Sequence, residues 1–222
     1  MNVAALGAIF DWDGVIIDSQ EQHEGSWLRL AEELGTSMQH DQFTGSFGMR
    51  NSEILTRVLG WARESEPARV RSLGDRKEEL YREIVRDGGI EPLPGVRGLL
   101  GMLREAKIPC AVGTSTPLEN VAVVMELTGL GSEFFAGICA AADVRHGKPA
   151  PDVFLEAARR IGRKPEECVV FEDAPVGIEA ARRAGMKVIA VATTHRPQAL
   201  GGADRVVSNL SEVGLADILK LW

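Results

Sequence analysis

The chain has 222 residues, 45% of them hydrophobic and 26% charged, which is room for one sizeable domain or for a domain carrying an insert. A net charge of −7 without a long basic run argues against a nucleic-acid surface, and no apolar stretch is long enough to cross a membrane. The three cysteines, Cys110, Cys139 and Cys168, each lie in an apolar run without metal-ligand spacing, so buried thiols are expected rather than a disulfide framework or a zinc site.

Taken in order, residues 5–10 read as a short buried strand that stops on Asp11, Asp13 and Gly14. Residues two apart in an extended chain point the same way, so the two carboxylates should share the space beyond the strand's end. Residues 20–34 carry a helical apolar face that stops at Gly35. Residues 43–52 read as a glycine-containing loop, with Ser52 capping a helix over 53–59. A charge-rich stretch, 64–86, predicts another helix or a pair of them.

The character changes at Pro92-Leu-Pro-Gly95, a turn signal. Beyond it strands are expected at 109–113, 138–141, 168–171, 188–192 and 204–207. Helices are expected at 96–107, 119–127, 152–161, 175–184 and 215–219. This alternation predicts an α/β fold with a doubly wound, mostly parallel (Rossmann-like) sheet. Some 75 residues separate the first strand from the rest, far more than an ordinary crossover. The reading is therefore a catalytic core of 1–16 and 93–222 with an inserted helical cap domain, 17–92.

Reactive residues recur just after apolar strands: Asp11 and Asp13, then Thr114, then Lys148 in the loop after the third, then Glu172 and Asp173. Parallel strands put all these ends on one sheet edge, where such sheets bind ligands. Each residue alone has an ordinary reading: a polar turn, a helix start, a solvated loop lysine. An EF-hand fails because the acidic ligands do not continue past Gly14. Together the groups fit magnesium-assisted phosphoryl transfer. A carboxylate about 4 Å from a phosphate dianion meets repulsion of about 8 kcal/mol at an effective dielectric of about 20. A divalent cation and a lysine offset it. The Thr114 hydroxyl and the backbone N–H groups of Ser115 and Thr116 would hold phosphoryl oxygens.

The segments Asp11-Trp-Asp-Gly-Val, Thr114, Gly147-Lys-Pro-Ala-Pro-Asp152 and Val170-Phe-Glu-Asp-Ala-Pro-Val-Gly-Ile-Glu-Ala180 resemble the four ordered motifs of the haloacid dehalogenase superfamily. The resemblance spans essentially the whole chain and falls nearest the helical-cap, β-phosphoglucomutase-like phosphatases. It implies an aspartyl-phosphate mechanism with Asp11 as nucleophile, Asp13 as general acid and base, and Thr114 and Lys148 on the phosphoryl group. It also implies Mg²⁺ held by Asp11, the carbonyl of Asp13 and Asp173, with Glu172 beside it or ligating. Trp12 stands where smaller apolar residues are usual and should alter only packing.

In the cap, His23, Arg50 and Lys77 match substrate-binding positions of the mutase-like subgroup, although Lys77 lies in what composition reads as a solvated helix face. Ser46 stands where the mutases carry a lysine, a departure that favours a phosphatase. Residues 48–52 and 76–81 also resemble plant phosphatases of riboflavin synthesis. The expected protein is a Mg²⁺-dependent phosphatase of a small phosphorylated metabolite, monomeric, in a reducing cytoplasm, without nucleic-acid or membrane partners. The alternatives are a hexose-phosphate mutase and a catalytically silent phospho-ligand binding module.

Overall fold

A computed structural model describes residues 3–47 and 49–222; Gly48, at the head of the 48–52 resemblance, lies outside them. The chain divides into two compact units, Met1–Asp18 with Ile90–Trp222, and Ser19–Gly89.

The first unit is a six-stranded sheet, every pairing of which is parallel: β1 (Gly7–Phe10), β2 (Cys110–Gly113), β3 (Phe135–Cys139), β4 (Cys168–Glu172), β5 (Lys187–Val191) and β6 (Arg205–Val207), in the order β3-β2-β1-β4-β5-β6. Strands β1, β2 and β4 are buried along their whole length, which is why they read as unbroken apolar runs. On one face Ile9, Ala111, Val170 and Val188 pack with Phe154 and Ala157 of α7 (Asp152–Arg160) and Ile178 and Ala181 of α8 (Pro175–Arg183). Phe10 points the other way, stacked on Phe171 at 4.6 Å between ring centroids. Trp12 is fully buried and meets Phe135 edge-on, a packing role as expected. Ile17 bridges to Pro92, and Leu93 N donates to Ile16 O at 2.9 Å, so the chain's two passages between the units are tied together.

Two expected strands differ in extent. The first begins at Gly7, not Ala5, because Val3–Ala5 turns into a 3₁₀ helix and Arg163 takes the carbonyls of Ala4 and Leu6. The third runs over Phe135–Cys139 rather than 138–141. It ends where the Asp143 carboxylate accepts from Ala140 N at 2.8 Å and curls the chain into a 3₁₀ turn.

The second unit is helical: α1 (Gln20–Glu33), α2 (His40–Ser46), a short α3 (Asn51–Glu53) continued by a π-helical turn Ile54–Val58, and the 22-residue α4 (Pro67–Gly88). Trp27, Leu30, Phe43, Leu55 and Leu80 form its core. The expected loop 43–52 is helical up to Ser46, where two hydroxyls turn onto the helix backbone: Thr44 to Asp41 O and Ser46 to Gln42 O. Ser52 is not a cap; the next helix starts at Asn51, after Arg50. The charge-rich stretch forms one helix, not two. The remaining helices, α5 (Val96–Glu105), α6 (Leu118–Thr128) and α9 (Leu215–Leu219), belong to the first unit. Among the described residues no helix is long and apolar enough to cross a membrane.

Candidate active site

β1 sits in the middle of the sheet between β2 and β4, so the groups after these three strands emerge side by side. Asp11 follows β1 directly, its N–H bonded to Phe171 O at 2.9 Å. The Lys148 ammonium lies between two carboxylates, 2.6 Å from Glu172 Oε1 and 2.9 Å from Asp11 Oδ1. The Asp11 contact is an ion pair, and beyond it the buried Oδ1 accepts no hydrogen bond among the described residues. Phe154 packs under the same ammonium, 4.9 Å from ring centroid to Nζ.

Glu172 is fully buried and engaged through both oxygens. Oε1 faces Lys148, and Oε2 accepts the N–H groups of Asp173 and Ala174 at 2.7 Å each. These two bonds shape the turn from β4 into α8. Asp173, also buried, accepts from the Thr194 hydroxyl. Two glycines leave space for the acids. A Cβ at Gly14, where φ is +80°, would lie 2.1 Å from Asp173 Oδ2; one at Gly177 would lie 1.6 Å from Glu172 Oε1.

Thr114 follows β2 and is buried; its hydroxyl oxygen accepts from Thr116 N at 3.1 Å. The Thr116 hydroxyl donates to Asp13 Oδ2. Both donors of Thr116 are thus engaged inside the site, fixing the loop and the Asp13 carboxylate, while Ser115 between them is exposed.

Burial dominates the electrostatics. It pushes Asp11 up to about 7, against the lowering by Lys148 and with further raising by Glu172 and Asp13. Asp173 is raised well above the usual carboxylate range by burial, then by Glu172 and Asp11, with Thr194 and Lys148 opposing. Burial works to lower Lys148, but Asp11 and Glu172 outweigh it and hold the ammonium above its ordinary range.

One oxygen each from Asp11, Glu172 and Asp173 lie within 4.8 Å of one another. An all-carboxylate set, buried, with one lysine against several acids and an Asp11 oxygen that accepts no hydrogen bond, suits a hard divalent cation such as Mg²⁺. Asp11 and Asp173 have more to offer it than Glu172, whose oxygens are already occupied.

In the helical unit the structure brings together His23 and Lys77 and leaves Arg50 exposed before α3. Lys77 is the correction. Its side chain is only 2% exposed, with Nζ 2.6 Å from His23 Nδ1, 3.1 Å from Glu78 Oε1 and 5.5 Å from the Trp27 and Tyr81 ring centroids. An ammonium only donates, so His23 Nδ1 accepts and the proton of neutral His23 sits on Nε2. The charged run 76–79 reads as solvated, but Lys77 and Glu78 point inward while Arg76 turns out to Glu33, Glu79 and Glu83.

Sequence reasoning missed Thr194, although it obeys the same rule as the others, lying just past the apolar strand β5.

The haloacid dehalogenase-like hydrolase family model matches residues 6–185. The chain is 37% identical over its whole length to the chloroplastic 5-amino-6-(5-phospho-D-ribitylamino)uracil phosphatase of Arabidopsis thaliana, of which it spans 59%. It is 34% identical to the fructose-1-phosphate phosphatase of Escherichia coli, over 83% of this chain and 95% of that one. The crystal structure of CbbY from Rhodobacter sphaeroides with phosphate superposes with a TM-score of 0.86 at 27% identity, over 95% of this chain and 97% of that one. With the sheet order, the helical segment inserted after β1 and the acid–lysine cluster, these likenesses establish that the chain belongs to the haloacid dehalogenase-like hydrolases, in the branch of the β-phosphoglucomutase- and CbbY-like phosphatases.

Proposed function

We propose that the chain is a Mg²⁺-dependent phosphatase that hydrolyses a sugar or polyol monophosphate through an aspartyl-phosphate intermediate. The observation that carries this reading is the Lys148 ammonium held between Asp11 and Glu172 beside Asp173. Asp11 attacks phosphorus and the ester oxygen leaves with a proton from Asp13. Asp13 then takes a proton from the water that attacks the acyl phosphate, regenerating Asp11. Lys148 keeps Asp11 aligned and faces the phosphoryl oxygens, with Thr114 and Ser115 on their other side. Asp11 and Asp173, with the Asp13 carbonyl, would hold Mg²⁺, which would supply the positive charge that lets two anions meet.

The helical unit Ser19–Gly89 serves as a cap that selects the substrate, with Arg50 its first candidate contact and His23 and Lys77 the others. The ribityl and fructose phosphates in the relatives' names share a polyhydroxylated carbon chain, which supports a sugar or polyol phosphate as the substrate class. Ser46 speaks against a mutase: it is buried, and its hydroxyl is bonded to Gln42 O at 2.7 Å and Phe43 O at 3.1 Å. A cation missing from a second-phosphate contact loses about 1.5–3 kcal/mol, or about ten- to a hundredfold in bisphosphate affinity. The intact set of Asp11, Asp13, Thr114, Lys148 and Asp173 speaks against a silent binding module. Three buried, unpaired thiols suit a reducing cytoplasm.

The test is a panel of phosphorylated metabolites that includes fructose 1-phosphate, the ribitylaminouracil phosphate and β-glucose 1-phosphate with a trace of the 1,6-bisphosphate. Free phosphate and glucose 6-phosphate are both followed. Phosphate release from a sugar or polyol ester is expected. Isomerisation outrunning phosphate release makes the protein a mutase; no turnover of any ester makes it a binding module.

A further inference from the structure

Thr194 and His195 follow β5, which pairs with β4 in a register that sets Ala190 beside Glu172. The segments beyond the two strands are therefore neighbours. There the Thr194 hydroxyl donates to Asp173 Oδ2, and Thr194 Oγ1 lies 2.9 Å from His195 Nδ1. A hydroxyl carries one hydrogen, and Asp173, ionised when it ligates a cation, only accepts. The Thr194 hydrogen is engaged with Asp173, so the second contact runs the other way: His195 Nδ1–H donates to Thr194 Oγ1. The three side chains form a directed chain from imidazole to hydroxyl to carboxylate, in which each bond polarises the next.

A Cβ at Gly14 would come within 2.1 Å of the same Oδ2. Oδ2 therefore lies close against the β1 turn as well as bonded to the segment after β5. A carboxylate so held keeps one rotamer, and a metal ligand fixed by an outer hydrogen bond binds more tightly than one that must be ordered first. We propose that Thr194, backed by His195, is a positioning residue that orients Asp173 for the divalent cation. The inference rests on the reading of Asp173 as a ligand of that cation.

The experiment is calorimetric titration of the substrate-free protein with Mg²⁺, with the melting temperature of the metal-free protein as control. Thr194→Val keeps the shape and removes the donor, and should weaken Mg²⁺ binding about tenfold or more. Thr194→Ser should restore it, and His195→Ala should cause a smaller loss. In turnover, the Mg²⁺ concentration for half activation should rise in the Val variant, with kcat at saturating Mg²⁺ nearly kept. A Val variant that binds Mg²⁺ like wild type, or a Ser variant as weak as Val, overturns the inference. If the Val variant does not fold, unchanged binding in His195→Ala overturns the relay. Wild type that binds no Mg²⁺ overturns this inference and the metal reading together. A protein that binds Mg²⁺ in the expected order yet releases no phosphate keeps the inference and removes the proposed function.

Discussion

Gly177 makes room for Glu172: a Cβ there would stand 1.6 Å from Oε1, the oxygen that pairs with Lys148 at 2.6 Å. Gly177 lies in the first turn of α8, and glycine to alanine inside a helix ordinarily gains about 0.5–1 kcal/mol. Here the sign reverses, because the carboxylate must move and leave a buried ammonium short of its partner. Gly177→Ala should cost about 2 kcal/mol or more in denaturant unfolding and lower phosphatase activity at least tenfold. Gly98→Ala in α5, where a Cβ meets nothing within 4 Å, is the control and should stabilise by about 0.5–1 kcal/mol.

Asp11 titrates near 7 in the folded, metal-free protein, against an ordinary 3.8. Between those values the folded state binds the extra proton, so this group's stabilisation is complete below about pH 4 and is lost as pH rises through about 7. Asp11→Asn removes the titration. Unfolding of the metal-free variant should depend less on pH between 5 and 8, and the variant should be more stable than wild type at about pH 8. The amide is no usable nucleophile, so turnover should fall by about a thousandfold or more. Turnover within tenfold of wild type would take the nucleophile role away from Asp11.

Exhaustive chelation should abolish turnover, and Mg²⁺ should restore it. Added Mg²⁺ should also raise Tm, and more at pH 8 than at pH 6, since the buried acids repel most when ionised. Asp173→Ala should weaken both effects. Full activity after chelation would contradict the metal site.

Lys77→Ala should destabilise the helical unit by about 3 kcal/mol, because it takes the ammonium from the buried Glu78 carboxylate, leaving it the Asn51 amide, and empties the space beside Trp27 and Tyr81. Arg50→Ala should leave unfolding unchanged within about 0.5 kcal/mol and raise KM. The pair of measurements separates a residue that builds the cap from one that reads the substrate.

The central strands and their ends were legible because parallel strands buried on both faces are apolar throughout, and the polar residues that break them stand at the chemical edge; the edge strand β3, not buried along its middle, was placed three residues late. Asp11, Lys148, Glu172 and Asp173 come together on that logic alone. The partners of Thr116 were not legible: a backbone N–H after the second strand reads as a phosphoryl donor, and nothing in the sequence tells that it bonds the Thr114 hydroxyl while the Thr116 hydroxyl holds Asp13. Lys77 was misread for a related reason: a charged run gives the helix but not which of its charges has a buried partner 54 residues away. Thr194 needed only the strand-end rule carried one strand further.

The sheet order has a consequence for how the chain is made. β1, a central strand, is synthesised before the others, yet its neighbour β4 begins at Cys168, and the pairing of Gly7 with Cys168 joins residues about 160 positions apart. Until β4 leaves the ribosome, one edge of this wholly buried strand stays without its native partner. The core therefore closes late, by a contact of long sequence separation, which makes folding slow and leaves β1 open to wrong pairing while it waits.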